Sequence, residues 1–418
     1  MKIKKIVASE ILDSRGNPTI QAEVILESGV KGKAAVPSGA STGSKEALEL
    51  RDKDEKRFGG LGVTTACRHI EKEIFNGIKG MSVFDQKKID KKMLEIDGTK
   101  NKSKLGANAI LAVSLAVCRA AAAEKGFSLW KYIQKVYGFK KHKDYKFPVP
   151  MMNVINGGKH SDSGLDVQEF MLVPSGIKTF AERLRAGAEI YHQLAKVLAE
   201  NNYHIAVGDE GGFAPQLQSN QEALQLIVTA IEKSGYKLGK EVKTGIDAAA
   251  SEFFDQQSKR YNLKLDGVSL DSGQLGAMYR DWAGKYYVEL MEDPMSEFDW
   301  EGWRQFNKDM GKKVVIIADD LTVTNKNILE EAIEYKACNA VLIKVNQIGS
   351  LTETIECIKL AKENNFKVAV SHRSGETNDD FIADLAVAVE ADYLKSGAPA
   401  RSERVGKYNR VMEIEKEY

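Results

Sequence analysis

The pattern of apolar and polar positions divides the chain into two differently built parts. In residues 1–138, apolar-rich runs at 3–12, 18–26 and Val30–Val36 predict three strands. The first two are joined by Asp13-Ser14-Arg15-Gly16-Asn17-Pro18, a string of turn formers. The third leads into Pro37-Ser38-Gly39-Ala40-Ser41-Thr42-Gly43, whose small residues predict an exposed, mobile loop. Helical periodicity follows at 62–79, 84–96 and 104–124. Strands first and helices afterwards predict an N-terminal α+β domain. The charged run Lys140–Lys146 then predicts a solvated connection.

In residues 139–418, short apolar runs alternate with helical patterns. Candidate strands are Val149–Ile155, Glu169–Val173, Thr244–Ala248, Tyr287–Met291, Val314–Ala318, Ala340–Val345, Lys367–Val370 and Asp392–Leu394. The first two follow each other directly. Two helices come next, Phe180–Asn201 and Glu222–Lys233, with Ser219 and Glu222 at capping-box spacing before the second. Strand and helix alternate from there on. The number and size of these units suit a (β/α)8 barrel, and a doubly wound open sheet is the competing arrangement.

Composition narrows the function classes. Lys plus Arg number 60 and Asp plus Glu 59, so the net charge of +1 gives no support for a nucleic-acid or membrane-surface protein. Cys67, Cys118, Cys338 and Cys357 are too scattered for a disulfide framework or a zinc ribbon. No signal-peptide core is evident. The apolar stretch Ala109–Ala123 is short for a membrane span and holds Arg119. A soluble, cytoplasmic protein is expected.

The candidate chemistry lies at the strand ends. Asp247, Glu292, Asp319, Lys344, His372 with Arg373, and Lys395 close successive strands, each about one βα unit of roughly 30 residues from the last. The longer step after Asp247 contains Arg260–Asp266, an expected inserted strand or hairpin. Taken singly, each acid could be a helix cap. Taken together, they form one rim, and the carboxyl-end rim of a barrel is where chemistry sits. Converging carboxylates repel, and an all-oxygen donor set points to Mg²⁺ to resolve this. Lys344, inside the apolar run VLIKV, is expected to be buried, which is costly unless the lysine is paired or neutral. Asn153–Gly164 reads as a polar, glycine-rich loop, and Val207–Pro215, with Asp209 and Glu210 before two glycines, fits either a simple turn or a close approach of backbone to a ligand. No phosphate-binding glycine motif is present, so nothing argues for a nucleotide.

The motifs DSRGNPT (13–19), VPSGASTG (36–43), SKLGANAILAVSLA (103–116), GDEGGFAP (208–215), ADDLTVTN (318–325), LIKVNQIGSLTET (342–354), SHRSGET (371–377) and SGAPARSER (396–404) make the chain resemble the enolase family along nearly its whole length. That resemblance implies a barrel of ββαα(βα)6 order behind an α+β domain. It implies reversible dehydration of 2-phosphoglycerate to phosphoenolpyruvate with two Mg²⁺ ions, in glycolysis and gluconeogenesis. Carried onto matching positions, Asp247, Glu292 and Asp319 resemble ligands of the first ion, and Ser41 helps bind the second. Lys344 resembles the general base, which must be neutral and whose pKa burial and nearby cations are expected to lower, and Glu210 the general acid, which must be protonated to release water, with Glu169 supporting proton transfer. Lys395 is expected on the substrate carboxylate and Arg373 and Ser374 on the phosphate, with Gln168, His160 and His372 at the substrate. Homodimers are usual in the family and octamers occur. Ser161 and Asn378 depart from the family pattern, which has alanine and an acid more often at these places. Two other readings remain, a lactonising or racemising barrel relative and a non-catalytic paralogue. The first lacks VPSGASTG and SHRSGET. The second usually loses an acid, a base or a ligand, and all are present here.

Overall fold

The computed structural model describes residues 1–39, 42–139 and 145–417. Ser41 and most of the charged connection lie outside the described residues. Strands β1 (Ile3–Leu12), β2 (Pro18–Leu26) and β3 (Lys31–Ala35) form an antiparallel sheet in that order. The β1–β2 turn is built by Asp13, whose Oδ1 accepts from the backbone N–H of Arg15 at 2.8 Å and of Asn17 at 2.9 Å. Ile20, Ala22, Val24 and Leu26 alternate inward from β2, and the alanine-rich helix Ala107–Glu124 packs on the sheet. That helix is long and apolar enough to cross a membrane, yet it is the buried centre of this domain. Gly32 makes its close approach possible, because a Cβ there would lie 2.2 Å from Ala116 O and Ala120 N.

The other helices depart from expectation in detail. The stretch expected as one helix at 62–79 is broken by a π-helical turn, Ile70–Ile74, between Thr64–His69 and Phe75–Ile78. Gln86–Asp97 ends on Gly98 in the left-handed region. Leu129–Tyr137 is an additional helix, closed by Gly138, which buries Trp130, Tyr132, Ile133 and Tyr137. Its β-branched and aromatic residues favour strand locally, so only packing makes it helical.

The remaining chain forms a closed barrel. Its strands are β4 (Val149–Asn156), β5 (Glu169–Val173), β6 (Lys243–Asp247), β10 (Val288–Glu292), β11 (Val315–Ala318), β12 (Ala340–Ile343), β13 (Lys367–Ser371) and β14 (Tyr393–Lys395), with β14 pairing back onto β4. β5 is antiparallel to both neighbours, and the other pairings are parallel. The helices Phe180–Glu200 and Asn220–Lys233 follow β5, so the order is ββαα(βα)6 and the open-sheet alternative falls. The second helix begins at Asn220, with Ser219 capping Glu222 N–H. Only half of the expected box forms, because the Glu222 carboxylate turns to Gln218 N–H and the Tyr203 hydroxyl. After β6 a small sheet is inserted, β7 (Phe254–Asp255), β8 (Arg260–Leu263) and β9 (Val268–Leu270), where one strand or hairpin was expected.

Met151, Met171, Val173, Leu290, Ile317, Leu342 and Tyr393 fill the barrel interior. The barrel is therefore solid below its rim, and the rim residues collect above that plug.

Candidate active site

Strand register assembles the rim. Asp247 is the register partner of Glu169 on one side and of Glu292 on the other. Glu169 starts its strand, yet it shares the rim with residues that end theirs, because β5 runs the opposite way. Lys395, ending β14, reaches across the mouth. Its Nζ lies 2.8 Å from Glu292 Oε2, 3.0 Å from Glu169 Oε2 and 3.1 Å from Asp247 Oδ2. Burial presses the Lys395 pKa down, but Asp247, Glu169 and Glu292 outweigh it and hold the ammonium well above the usual lysine range. Burial, with the charges of Asp247 and Asp319, raises Glu292 well above a usual carboxyl. One buried cation thus serves more acids than it can neutralise.

Asp319 and Lys344 follow β11 and β12. Lys344 Nζ bonds to Asp319 Oδ2, and Gln347 Nε2 donates to Asp319 Oδ1 at 2.8 Å. Here the structure corrects an expectation. Burial, Arg373 and Lys395 do press Lys344 down, but the Asp319 carboxylate, with Glu292 behind it, wins and raises the pKa above the lysine norm. The Asp319 carboxylate thus favours the ammonium form of Lys344.

Among the described residues, two groups of three place their ligand atoms within 4.8 Å of one another: His160–Glu169–Glu210 and Asp293–Asp319–Asp320. Asp319 therefore gathers with Asp293 and Asp320, and Asp247 with Glu292 gathers around Lys395. Asp293 accepts from the backbone N–H of Asp319 and of Asp320, each at 2.9 Å, which fixes that turn. Burial and the Asp319 charge push Asp320 up to about 8. The donor set fits a hard divalent cation. It consists of buried carboxylate oxygens whose repulsion the two lysines only partly offset.

The opposite wall carries Glu210. Its Oε2 accepts from Asn153 Nδ2 at 3.1 Å and faces His372 Nε2 at 3.3 Å. Its Oε1 accepts from the Ser374 hydroxyl at 3.2 Å. His160 Nδ1 stands 3.4 Å from Glu169 and 3.6 Å from Glu210, and its Nε2 is 2.9 Å from the Ser374 hydroxyl. Burial raises both glutamates. On Glu210 the rings of His160 and His372, the His372 hydrogen bond and Arg404 overcome it, so that carboxyl is held well down. On Glu169 the Glu210 charge adds to burial, and the carboxyl sits well above its usual range. The two carboxyls are driven in opposite directions, Glu169 up and the Glu210 expected to be protonated down, and any proton they retain belongs to the pair. Burial keeps both imidazoles neutral, and His372 falls to about 3.

Gln168 lines the same mouth, with Nε2 3.5 Å from Asp247 Oδ2. Arg373 grips Glu46 through both terminal nitrogens, at 2.9 and 3.1 Å, and reaches Asn346 Oδ1 at 3.0 Å. The N-terminal domain docks here. Ser38 and Gly375 exchange backbone hydrogen bonds at 2.7 and 2.9 Å, and Ser14 N–H donates to Glu376 O at 2.7 Å. This explains why DSRGNPT and VPSGASTG accompany SHRSGET. The departure at Ser161 adds an anchor, since its hydroxyl donates to Asn156 O at 2.7 Å. Asn153, Glu46, Gln347 and Arg404 were not foreseen as site residues. Glu46 offered no local signal, while Asn153, Gln347 and Arg404 lie inside segments already singled out, Asn153–Gly164, LIKVNQIGSLTET and SGAPARSER.

Residues 3–133 match the family model described as the N-terminal domain of enolase. Residues 144–418 match that of the enolase C-terminal TIM barrel domain. With that barrel closed by its antiparallel second strand and the rim assembled as above, the chain belongs to the enolase family.

Proposed function

We propose that the chain catalyses the Mg²⁺-dependent, reversible dehydration of 2-phosphoglycerate to phosphoenolpyruvate and water. The observation that carries this reading is one pocket lined by Lys344, Glu169, Glu210, Lys395 and Arg373 together with buried acids. Elimination across neighbouring carbons needs a base for the hydrogen beside the carboxylate and an acid for the hydroxyl beyond it.

Lys344 is the base. It becomes neutral once Asp319 no longer holds its ammonium, so base strength is tied to the state of the acidic cluster. Hydroxide leaves poorly, and Glu210 protonates it, drawing on the proton it shares with Glu169. Lys395 binds the substrate carboxylate and keeps a positive charge beside the carbon that becomes carbanionic. Arg373 and Ser374 hold the phosphate, for which Arg373 must exchange contacts with Glu46. Gln168 and His160 position the substrate. Asp247, Glu292 and Asp319 would hold one divalent ion and Ser41 would contribute to a second. When bound, the two Mg²⁺ ions supply positive charge opposite the carboxylate as it gains negative charge.

A homodimer is proposed with this activity, as is usual for the family, and a monomeric mass in solution would remove that part. The reaction itself is tested by the ultraviolet absorbance of the enol phosphate. It should appear when 2-phosphoglycerate and Mg²⁺ are added, vanish with a chelator and return with Mg²⁺. Full turnover after exhaustive metal removal, or none with Mg²⁺ present, contradicts the proposal.

A further inference from the structure

Arg404 does not itself line the rim pocket, yet its guanidinium is fully buried directly behind three residues that do, His372, Arg373 and Ser374. It stands in the first turn of the helix Ser402–Glu417. Its Nη1 lies 2.7 Å from His372 Nδ1 and donates to Arg373 O at 2.6 Å. Its Nη2 donates to Ser374 O at 2.5 Å and to Asp209 O at 3.0 Å. One planar fork therefore clasps the segment after β13 and the segment that carries Glu210.

The hydrogen-bond inventory then decides the His372 tautomer. A guanidinium has donors only. His372 Nδ1 must accept from Arg404, so its lone pair is taken and the ring proton sits on Nε2. That nitrogen lies 3.3 Å from Glu210 Oε2. The same oxygen accepts from Asn153 Nδ2 at 3.1 Å. A proton on Oε2 would face two donors. Oε1 has only the Ser374 hydroxyl, which can turn toward His160 Nε2 instead, and His160 Nδ1 at 3.6 Å.

We propose that Arg404 is a positioning residue for the proton transfer at Glu210: by donating to His372 Nδ1 it locks the ring as a fixed Nε2–H donor to Glu210 Oε2, so the proton exchanged with the leaving hydroxyl travels on Oε1. This rests on the reading of Glu210 as the acid. In the forward direction the Glu210 Oε1–H bond breaks, the proton joins the departing hydroxide as water, and Glu210 is left as a carboxylate. His372 keeps its single proton throughout and is not a proton carrier.

The test reads the imidazole directly. In a two-bond ¹H–¹⁵N spectrum of the uniformly labelled full chain, the His372 ring is assigned by its disappearance in His372→Gln. Glu210, Arg404 and Lys395 are the charged groups that act on this ring. The expected result is a protonated Nε2 and a bare Nδ1 from pH 6 to 8. Arg404→Lys keeps a cation but not the fork. It should populate the Nδ1–H form and lower kcat about a hundredfold, with KM changed by about twofold or less. A wild-type ring protonated at Nδ1, or at both nitrogens, overturns the proposal, as does Arg404→Lys with an unchanged tautomer. If that variant fails to fold, the wild-type spectrum still decides. The spectrum needs no turnover, so its outcome is separate from that of Glu210→Gln kinetics, which test the acid assignment itself.

Discussion

The ammonium of Lys395 lies 2.8 Å from Oε2 of Glu292, and both side chains are closed off from solvent. Asp247 and Glu169 compete for the same ammonium at 3.1 and 3.0 Å. The rim is under-neutralised by construction, which makes Lys395 a stability element as well as a binding group.

Lys395→Met leaves three buried acids facing one another. Breaking a buried ion pair from one side costs about 3–5 kcal/mol. The variant should lose stability of that order in urea unfolding with a chelator present, and should gain more from added Mg²⁺ than the wild type does. Equal unfolding midpoints in chelator would contradict this.

The buried His372 ring sets an acid limit on stability. Burial, opposed by the charge and hydrogen bond of Glu210, brings its pKa from 6.5 to about 3. A base depressed in the fold binds fewer protons there than when unfolded. Its contribution is therefore present above pH 6.5 and is lost as pH falls toward about 3. His372→Gln should be less stable than wild type at pH 7 but lose stability less steeply between about pH 6 and pH 4. Identical slopes in urea titrations would count against the neutral ring.

Gly32 is fixed by packing rather than by a turn. A Cβ there would meet backbone atoms of the helix Ala107–Glu124 at 2.2 Å. Backbone cannot swing aside as a flexible side chain can, so Gly32→Val should cost at least about 1–3 kcal/mol. The barrel rim is untouched, so kcat should survive below the lowered melting temperature. A variant as stable as wild type would mean the helix sits farther from the sheet.

Much of the barrel was legible because its signal is periodic. One charged group per βα unit, from Asp247 to Lys395, marks both the strands and the rim. Glu169 is different, since it reaches the rim only through the reversed direction of β5, which no local pattern encodes. The protonation states were not legible either. Lys344 was expected to be neutral, but the Asp319 carboxylate raises its pKa, and Glu210, expected to be protonated, is held low while Glu169 is raised. Such balances depend on distances that only the fold supplies. Arg404 and Glu46 act on residues 32 and 327 positions away in the chain, so spacing could not place them. The helix Leu129–Tyr137 was missed because its composition favours strand and its neighbours make it helical.

Exchange of the substrate's C2 hydrogen with deuterated solvent separates the roles of Lys344 and Glu210. With Mg²⁺ present, Glu210→Gln should keep exchanging that hydrogen while dehydration falls by at least about a hundredfold, and Lys344→Ala should lose both. Exchange that survives in Lys344→Ala but stops in Glu210→Gln would reverse the assignment, and near-normal turnover in both variants would end it.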